Sequence, residues 1–240
     1  MRVALKAENV TVQFGGVKAV DNVSFTLPEQ SIVGLIGPNG AGKTTLFNAA
    51  TGFVPVTAGK VSFFDTDVTQ QPPYVRAQQG MGRTFQIERP FEELTVLENV
   101  LIPAFLHHSR RRQAEAVAMQ ALETVGMADR AYQPASDLNL ARLRRLELAK
   151  ALATHPKVLF LDEIMAGLNP PALSEMIDFL RSLTEQGITI LMVEHIMEAI
   201  MRLSDNVLVL ANGRLIAQGP PKEVIEDPQV VEAYLGADES

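Results

Sequence analysis

Residues 37–45 read Gly-Pro-Asn-Gly-Ala-Gly-Lys-Thr-Thr. The spacing G-x-x-x-x-G-K-T suits a polyphosphate. Glycines let the backbone turn sharply and approach the anion closely. Backbone N–H groups from Gly40 to Thr45 then point at it from a helix N-terminus. Lys43 supplies a cation to the terminal phosphates, and the Thr44 hydroxyl is a hard oxygen ligand for Mg²⁺. Average residue frequencies place such a match in roughly 1% of chains this long. A buried strand before it and a helix after it make an accident rarer still. Gly37, Asn39, Gly40, Ala41, Gly42, Lys43, Thr44 and Thr45 are therefore candidate nucleotide-phosphate contacts, of a kind shared by kinases, GTPases, motors and transport ATPases.

A second constellation lies at residues 159–163, Leu-Phe-Leu-Asp-Glu. A buried apolar strand ends in two carboxylates. Neighbouring strand positions face opposite ways, so the two need not share a role. Asp162 suits Mg²⁺, held through water, and Glu163 suits a general base for the attacking water. Without the phosphate cradle, the same residues would read equally well as a strand ending in a polar turn.

These groups need elements to position them. VTVQF and VSFTL alternate apolar and polar residues and are separated by turn residues, so both read as strands. SIVGLI (31–36), KVSFFD (60–65), KVLFLDE (157–163) and ITILMVEH (188–195) read as further strands. A helix is expected from near Gly42, and others over 94–126, 137–152, after Pro170-Pro171 and after ITILMVEH. Thr95 and Ser109 are the expected N-caps in the 94–126 stretch. VLVLANGRLIAQG turns across Asn212-Gly213 as a hairpin, and a helical tail follows. Buried strands alternating with helices imply an α/β fold with a largely parallel sheet. The middle reads as an inserted helical subdomain because strands resume after it.

Composition sets bounds. The chain has 240 residues, 47% of them hydrophobic, enough for a sizeable core. It has no Cys, which excludes disulfides, thiolate metal sites and a Cys nucleophile. A net charge of −7 argues against a nucleic-acid partner. No apolar run reaches the roughly 18–20 residues that span a bilayer. Any membrane contact would run through a partner. The sharpest charge run, Ser109-Arg110-Arg111-Arg112, reads as a solvated helix start.

The order of motifs resembles an ABC-type ATP-binding subunit over nearly the whole chain. Phe14 sits where that family has an adenine-stacking aromatic, and GPNGAGKTT matches its Walker A loop. Arg83-Thr84-Phe85-Gln86 resembles the Q-loop, implying that Gln86 contacts Mg²⁺ and water. VLFLDE matches Walker B, Ala166-Gly167-Leu168-Asn169 resembles the D-loop, and Val193-Glu194-His195 ends in the switch histidine that contacts the γ-phosphate. The resemblance implies a P-loop NTPase (RecA-like) core with an antiparallel β subdomain (together 1–86 and 156–240) and a helical subdomain (about 87–155). It implies catalytic roles for Glu163, His195 and Gln86, a metal set of Thr44, Gln86 and Asp162, and ATP with Mg²⁺ as cofactors.

FGGVKAVDNVSF, GPNGAGKTTLFNAATGF, GRTFQ, FEELTVLENV and DPQVVEAYLG narrow the resemblance to ATP-binding subunits of branched-chain amino acid importers. Related systems carry urea or amides. The implied setting is peripheral, on the cytoplasmic face of the membrane. The implied partners are a head-to-tail second ATP-binding subunit, permease subunits and, indirectly, a solute-binding protein. Permease contact is expected near 88–98. Phe91 and Leu94 are candidate anchors there, or equally helix-packing residues.

One motif departs from the family. Its signature, L-S-G-G-Q or a variant, aligns with Leu138-Asn139-Leu140-Ala141-Arg142. The Pro usual after the Walker B glutamate is replaced by Ile164, followed by Met165. Leu140 adds bulk where close backbone approach is wanted, while Asn139 keeps an amide donor and Arg142 a positive charge. Two readings follow. One is a motor in which this chain's cradle works against a partner's intact signature, so that a heterodimer has one good and one poor site. The other is a module in which ATP gates dimerisation with little hydrolysis.

Overall fold

The computed structural model describes residues 2–85 and 90–235. Strands β1 (Val3–Phe14) and β2 (Val17–Pro28) form a long antiparallel hairpin, joined by β4 (Ala58–Phe63) and the short β5 (Thr66–Asp67). Their order is β2-β1-β4-β5. The second sheet has the order β10-β9-β3-β8-β7-β6. In it β3 (Ile32–Ile36), β6 (Met81–Arg83), β7 (Val158–Asp162), β8 (Thr189–Val193) and β9 (Asn206–Ala211) run parallel, and β10 (Arg214–Gly219) is the antiparallel edge.

The continuous apolar runs are explained by which face each residue takes. Val33, Leu35, Phe160, Leu191, Val193, Leu208 and Leu210 pack toward the antiparallel sheet with Leu5, Phe25 and Phe47. Their neighbours Ile32, Ile36, Leu159, Leu161, Ile190, Met192, Val207 and Val209 pack on the opposite side, toward helices. Both faces of the parallel sheet are covered, so alternation disappears from its strands. Phe47, on α1 (Lys43–Thr51), meets Phe160 edge-on at 5.4 Å.

The helices that follow are α2 (Pro73–Gln79), α3 (Val96–Ala104), α4 (Arg111–Thr124) and α5 (Leu140–Leu152). They continue with α6 (Pro170–Glu185), α7 (Met197–Leu203), α8 (Pro221–Ile225) and α9 (Pro228–Leu235). Thr95 caps α3 in a capping box with Glu98, as its sequence spacing implied. Ser109 does not cap α4. Arg110 holds the N-cap position without a side-chain bond, because α4 starts at Arg111, one residue later than Ser109 could reach. The strand expected over 60–65 stops at Phe63, since Phe64 and Asp65 take left-handed conformations and turn the chain. Arg110, Arg111 and Arg112 are exposed, as a solvated helix start should be. Among the described residues no helix is long and apolar enough to cross a membrane.

The sheet order matters for chemistry. β3, β8 and β7 are neighbours, so the loops leaving their C-terminal ends emerge side by side. Those loops carry the glycine-rich stretch, His195 and Glu163. Ligands of parallel sheets sit at this edge.

Candidate nucleotide site

A cavity of about 330 Å³ opens there, lined by Ala19, residues 39–45, Glu163 and His195. Nine of the site residues expected from the sequence line it: Asn39, Gly40, Ala41, Gly42, Lys43, Thr44, Thr45, Glu163 and His195. Two glycines are required by their surroundings. A Cβ on Gly37 would stand 2.0 Å from the Leu210 carbonyl, and one on Gly42 2.2 Å from the Ala19 carbonyl. Both also have positive φ, 146° and 99°. The cradle is thus wedged between the β1–β2 hairpin and the end of β9. α1 starts at Lys43 with no side-chain cap, so its first N–H groups keep no side-chain acceptor.

Lys43 is buried, and its Nζ donates to the carbonyls of Gly37 at 2.7 Å and Pro38 at 2.9 Å. Burial pulls its pKa down, with the nearby Glu163 and Asp162 charges opposing that. A cation folded over the loop in this way stands ready to exchange two carbonyl partners for phosphate oxygens.

Glu163 and Asp162 differ, but not through strand alternation, because the strand expected over 157–163 stops at Asp162. Asp162 ends β7 and is 3% exposed. Its amide donates to Thr84 Oγ1 at 3.2 Å, and its Oδ2 lies 3.5 Å from Arg83 Nη2. Burial raises its pKa, against the pull of Arg83. Glu163 is just beyond the strand at φ 50°, and its Oε1 lies 3.0 Å from His195 Nε2. The left-handed turn takes Glu163 out of the strand's alternation and into the cavity. Phe14 stands apart from the cavity wall, half exposed at the tip of the β1–β2 hairpin. Gln86 lies outside the described residues.

The donor set fits Mg²⁺. Thr44 and Asp162 offer hard oxygens, and the described residues hold no cluster of three His, Cys, Asp or Glu able to cage a metal on their own. Mg²⁺ takes one or two protein oxygens and completes its shell with phosphate and water.

The signature region is the other helix N-terminus. Asn139 caps α5, its Oδ1 accepting from the Arg142 amide at 3.1 Å. Leu140 is exposed and leans on the D-loop: a Cβ on Gly167 would stand 2.9 Å from Leu140 Cδ2. Phe91 is exposed, but its N–H and C=O are both tied to the buried Asn99 side chain, at 2.8 and 3.1 Å.

Sequence reading missed Arg83. Its guanidinium is ringed by Phe47, Phe53 and Phe85 at 4.9–5.0 Å and bonds Asn48 Oδ1 at 2.6 Å. Beside it runs an apolar groove of about 470 Å³ walled by Phe53, Tyr74, Phe85, Ile102 and Pro103. It also missed Glu194 and Arg144, buried charges whose partners are remote in sequence. Only the placement of Glu194 at the end of an apolar run could have flagged it, and nothing local marks Arg144 among its charged neighbours.

Comparison with known proteins agrees with this geometry. The ABC transporter family profile matches residues 20–166, and that of the branched-chain amino acid ATP-binding cassette transporters matches 214–240. The chain is 40% identical to the high-affinity branched-chain amino acid transport ATP-binding protein LivG of Salmonella typhimurium, over 97% of both chains. It is 39% identical to LivG of Escherichia coli, again over 97% of both. A solved ATP-binding cassette of an ABC transporter in its ADP conformation superposes with a TM-score of 0.90 at 33% identity, covering 98% of this chain and 99% of that one. The chain belongs to the ABC transporter family and is one of its ATP-binding, ATP-hydrolysing subunits.

Proposed function

We propose that this subunit powers import of branched-chain amino acids or a related small polar solute, from a peripheral position on the cytoplasmic face of the membrane. The relatives' names and the match over the C-terminal residues support the solute class. The solute never meets this subunit. A solute-binding protein and the permease would select it.

The observation that carries the mechanism is the joining of the cradle to the Glu163–His195 pair in one cavity. ATP lays its phosphates on the amides of 40–45, Lys43 neutralises the terminal phosphates, and Phe14 stacks on adenine. Thr44 and Asp162, with Gln86, would hold Mg²⁺, which neutralises charge on the β- and γ-phosphates. Glu163 accepts a proton from the attacking water. His195 holds Glu163 and reaches the γ-phosphate. Removing a general base lowers the rate by about 10²–10⁴-fold. Glu163→Gln should therefore stall turnover while ATP still binds. Normal turnover would remove Glu163 from the mechanism.

A second ATP-binding subunit closes over the phosphates head to tail, and the helical segment 87–155 moves with closure. The apolar groove beside Arg83 receives an apolar segment of the permease, since aromatic groups half exposed around one concavity suit a protein partner.

The arrangement of the signature favours a heterodimer and keeps a second reading alive. With the Arg142 amide tied to Asn139 Oδ1 and Leu140 over Gly167, this chain offers a poor lid to a partner's ATP. A complex that binds ATP and dimerises without turnover would establish the gating module. Turnover that rises when a second ATP-binding subunit is added supports the motor.

A further inference from the structure

β7 and β8 end side by side, and their final residues are stitched together. The Glu163 amide donates to the Val193 carbonyl at 2.9 Å. The Met165 amide donates to Glu194 Oε1 at 3.0 Å. His195 Nε2 meets Glu163 Oε1 at 3.0 Å. His195 lines the cavity, whereas its neighbour Glu194 points inward and is 2% exposed.

A buried carboxylate is unfavourable unless its partners compensate. Glu194 gives its oxygen to the segment that carries Glu163 into the cavity. From the other side Arg144, on α5, donates Nη2 to the Ala166 carbonyl at 3.3 Å. Residues 163–167 are thus held by β8 and by α5 together. That hold is needed, because Glu163 sits at φ 50°. A non-glycine residue there costs on the order of 1–3 kcal/mol and persists only where its surroundings enforce it. Burial raises the Glu194 pKa to about 7, although the Met165 and His195 amides and Arg144 favour its charged form.

We propose that Glu194 is a positioning residue for hydrolysis: by accepting the Met165 amide it fixes the left-handed turn that aims the Glu163 carboxylate at the phosphates. The role rests on Glu163 being the general base.

The test is ATP turnover and equilibrium ATP binding by the full chain in the complex that co-purifies with it. A misplacement of about 1 Å can lower a rate by 10²-fold. Glu194→Ala is expected to lower kcat by roughly 10–100-fold, with KM and ATP affinity within about twofold of wild type. Glu194→Gln keeps an oxygen for the Met165 amide and should recover most of kcat. In a Glu163→Gln background, where the aimed carboxylate is already gone, Glu194→Ala should change the residual single-turnover rate less than about twofold. Wild-type kcat in Glu194→Ala overturns the proposal, and so does an equal loss in both backgrounds, the signature of general destabilisation. If Glu194→Ala does not fold, Glu194→Asp, which keeps the charge but shortens the reach, takes its place with the same loss expected. Normal turnover in Glu163→Gln alone would reject the general base. A stalled Glu163→Gln beside a normal Glu194→Ala would reject the positioning role only.

Discussion

Two helix N-termini in this chain could face a phosphate, and they are built in opposite ways. α1 begins uncapped, behind glycines that let its backbone lie against the carbonyls of Ala19 and Leu210. α5 begins capped by Asn139 and overhung by Leu140. Both carry the same partial positive charge from their peptide dipoles. The dipole alone therefore does not make a phosphate site. The amides must be left without internal partners, and no side chain can stand between them and the ligand.

The largest test of this contrast is Gly42→Ala. The added methyl meets the Ala19 carbonyl at 2.2 Å, on a backbone already at φ 99°. A loop that shifts to relieve this clash loses its fit to the phosphates, and calorimetry should register a loss of ATP affinity of roughly 100-fold, or about 3 kcal/mol. Unchanged affinity would mean that the cradle's shape does not govern binding.

The next test concerns the brace between the two ends. Burial pushes the Glu194 carboxyl up to about 7 in the folded chain, from the ordinary 4.5 of an exposed glutamate in the unfolded one. Between those values the folded chain binds more protons, so stability falls as pH rises through that window. The loss is at most about 3 kcal/mol. Urea melts of wild type should strengthen from pH 8 to pH 5 relative to Glu194→Gln, and parallel curves would contradict the assignment.

The smallest expected effect is at α5. Leu140→Gly clears the approach to the helix, but glycine there weakens it by about 1 kcal/mol. Turnover of the assembled complex should rise several-fold while Tm falls slightly. No gain would place the deficit elsewhere, and would weaken the contrast.

How much of this was legible in the sequence follows from range. The cradle was readable because its geometry is local: nine consecutive residues set both the turn and the helix start. β7 and β8 were readable as buried strands because runs such as VLFLD exclude other choices. The nearness of Glu163 and His195 was implied only through the family resemblance and by no local pattern, since it depends on β7 and β8 being neighbours in the sheet. Arg83, Arg144 and Glu194 were missed for the same reason. Asp162 lies 79 residues from Arg83, and Met165 lies 29 from Glu194. No local pattern encodes such pairs. α2 was not among the expected helices, although Pro at a helix's first position, as at Pro73, is favoured. Its Arg76 is fully buried and ties the α1 carbonyls of Ala49 and Ala50 to this helix.

The walls that press on Gly37 and Gly42 are main-chain oxygens, which no substitution can trim. The nucleotide's resting place is therefore a moulded seat, shaped before any ligand arrives, and little ordering entropy is lost on occupation. Selection or engineering that needs a stronger hold on ATP has almost no side-chain lever on this wall, where an added side chain at Gly37 or Gly42 only weakens it. It must act instead through the groups that close over the ligand from the other side.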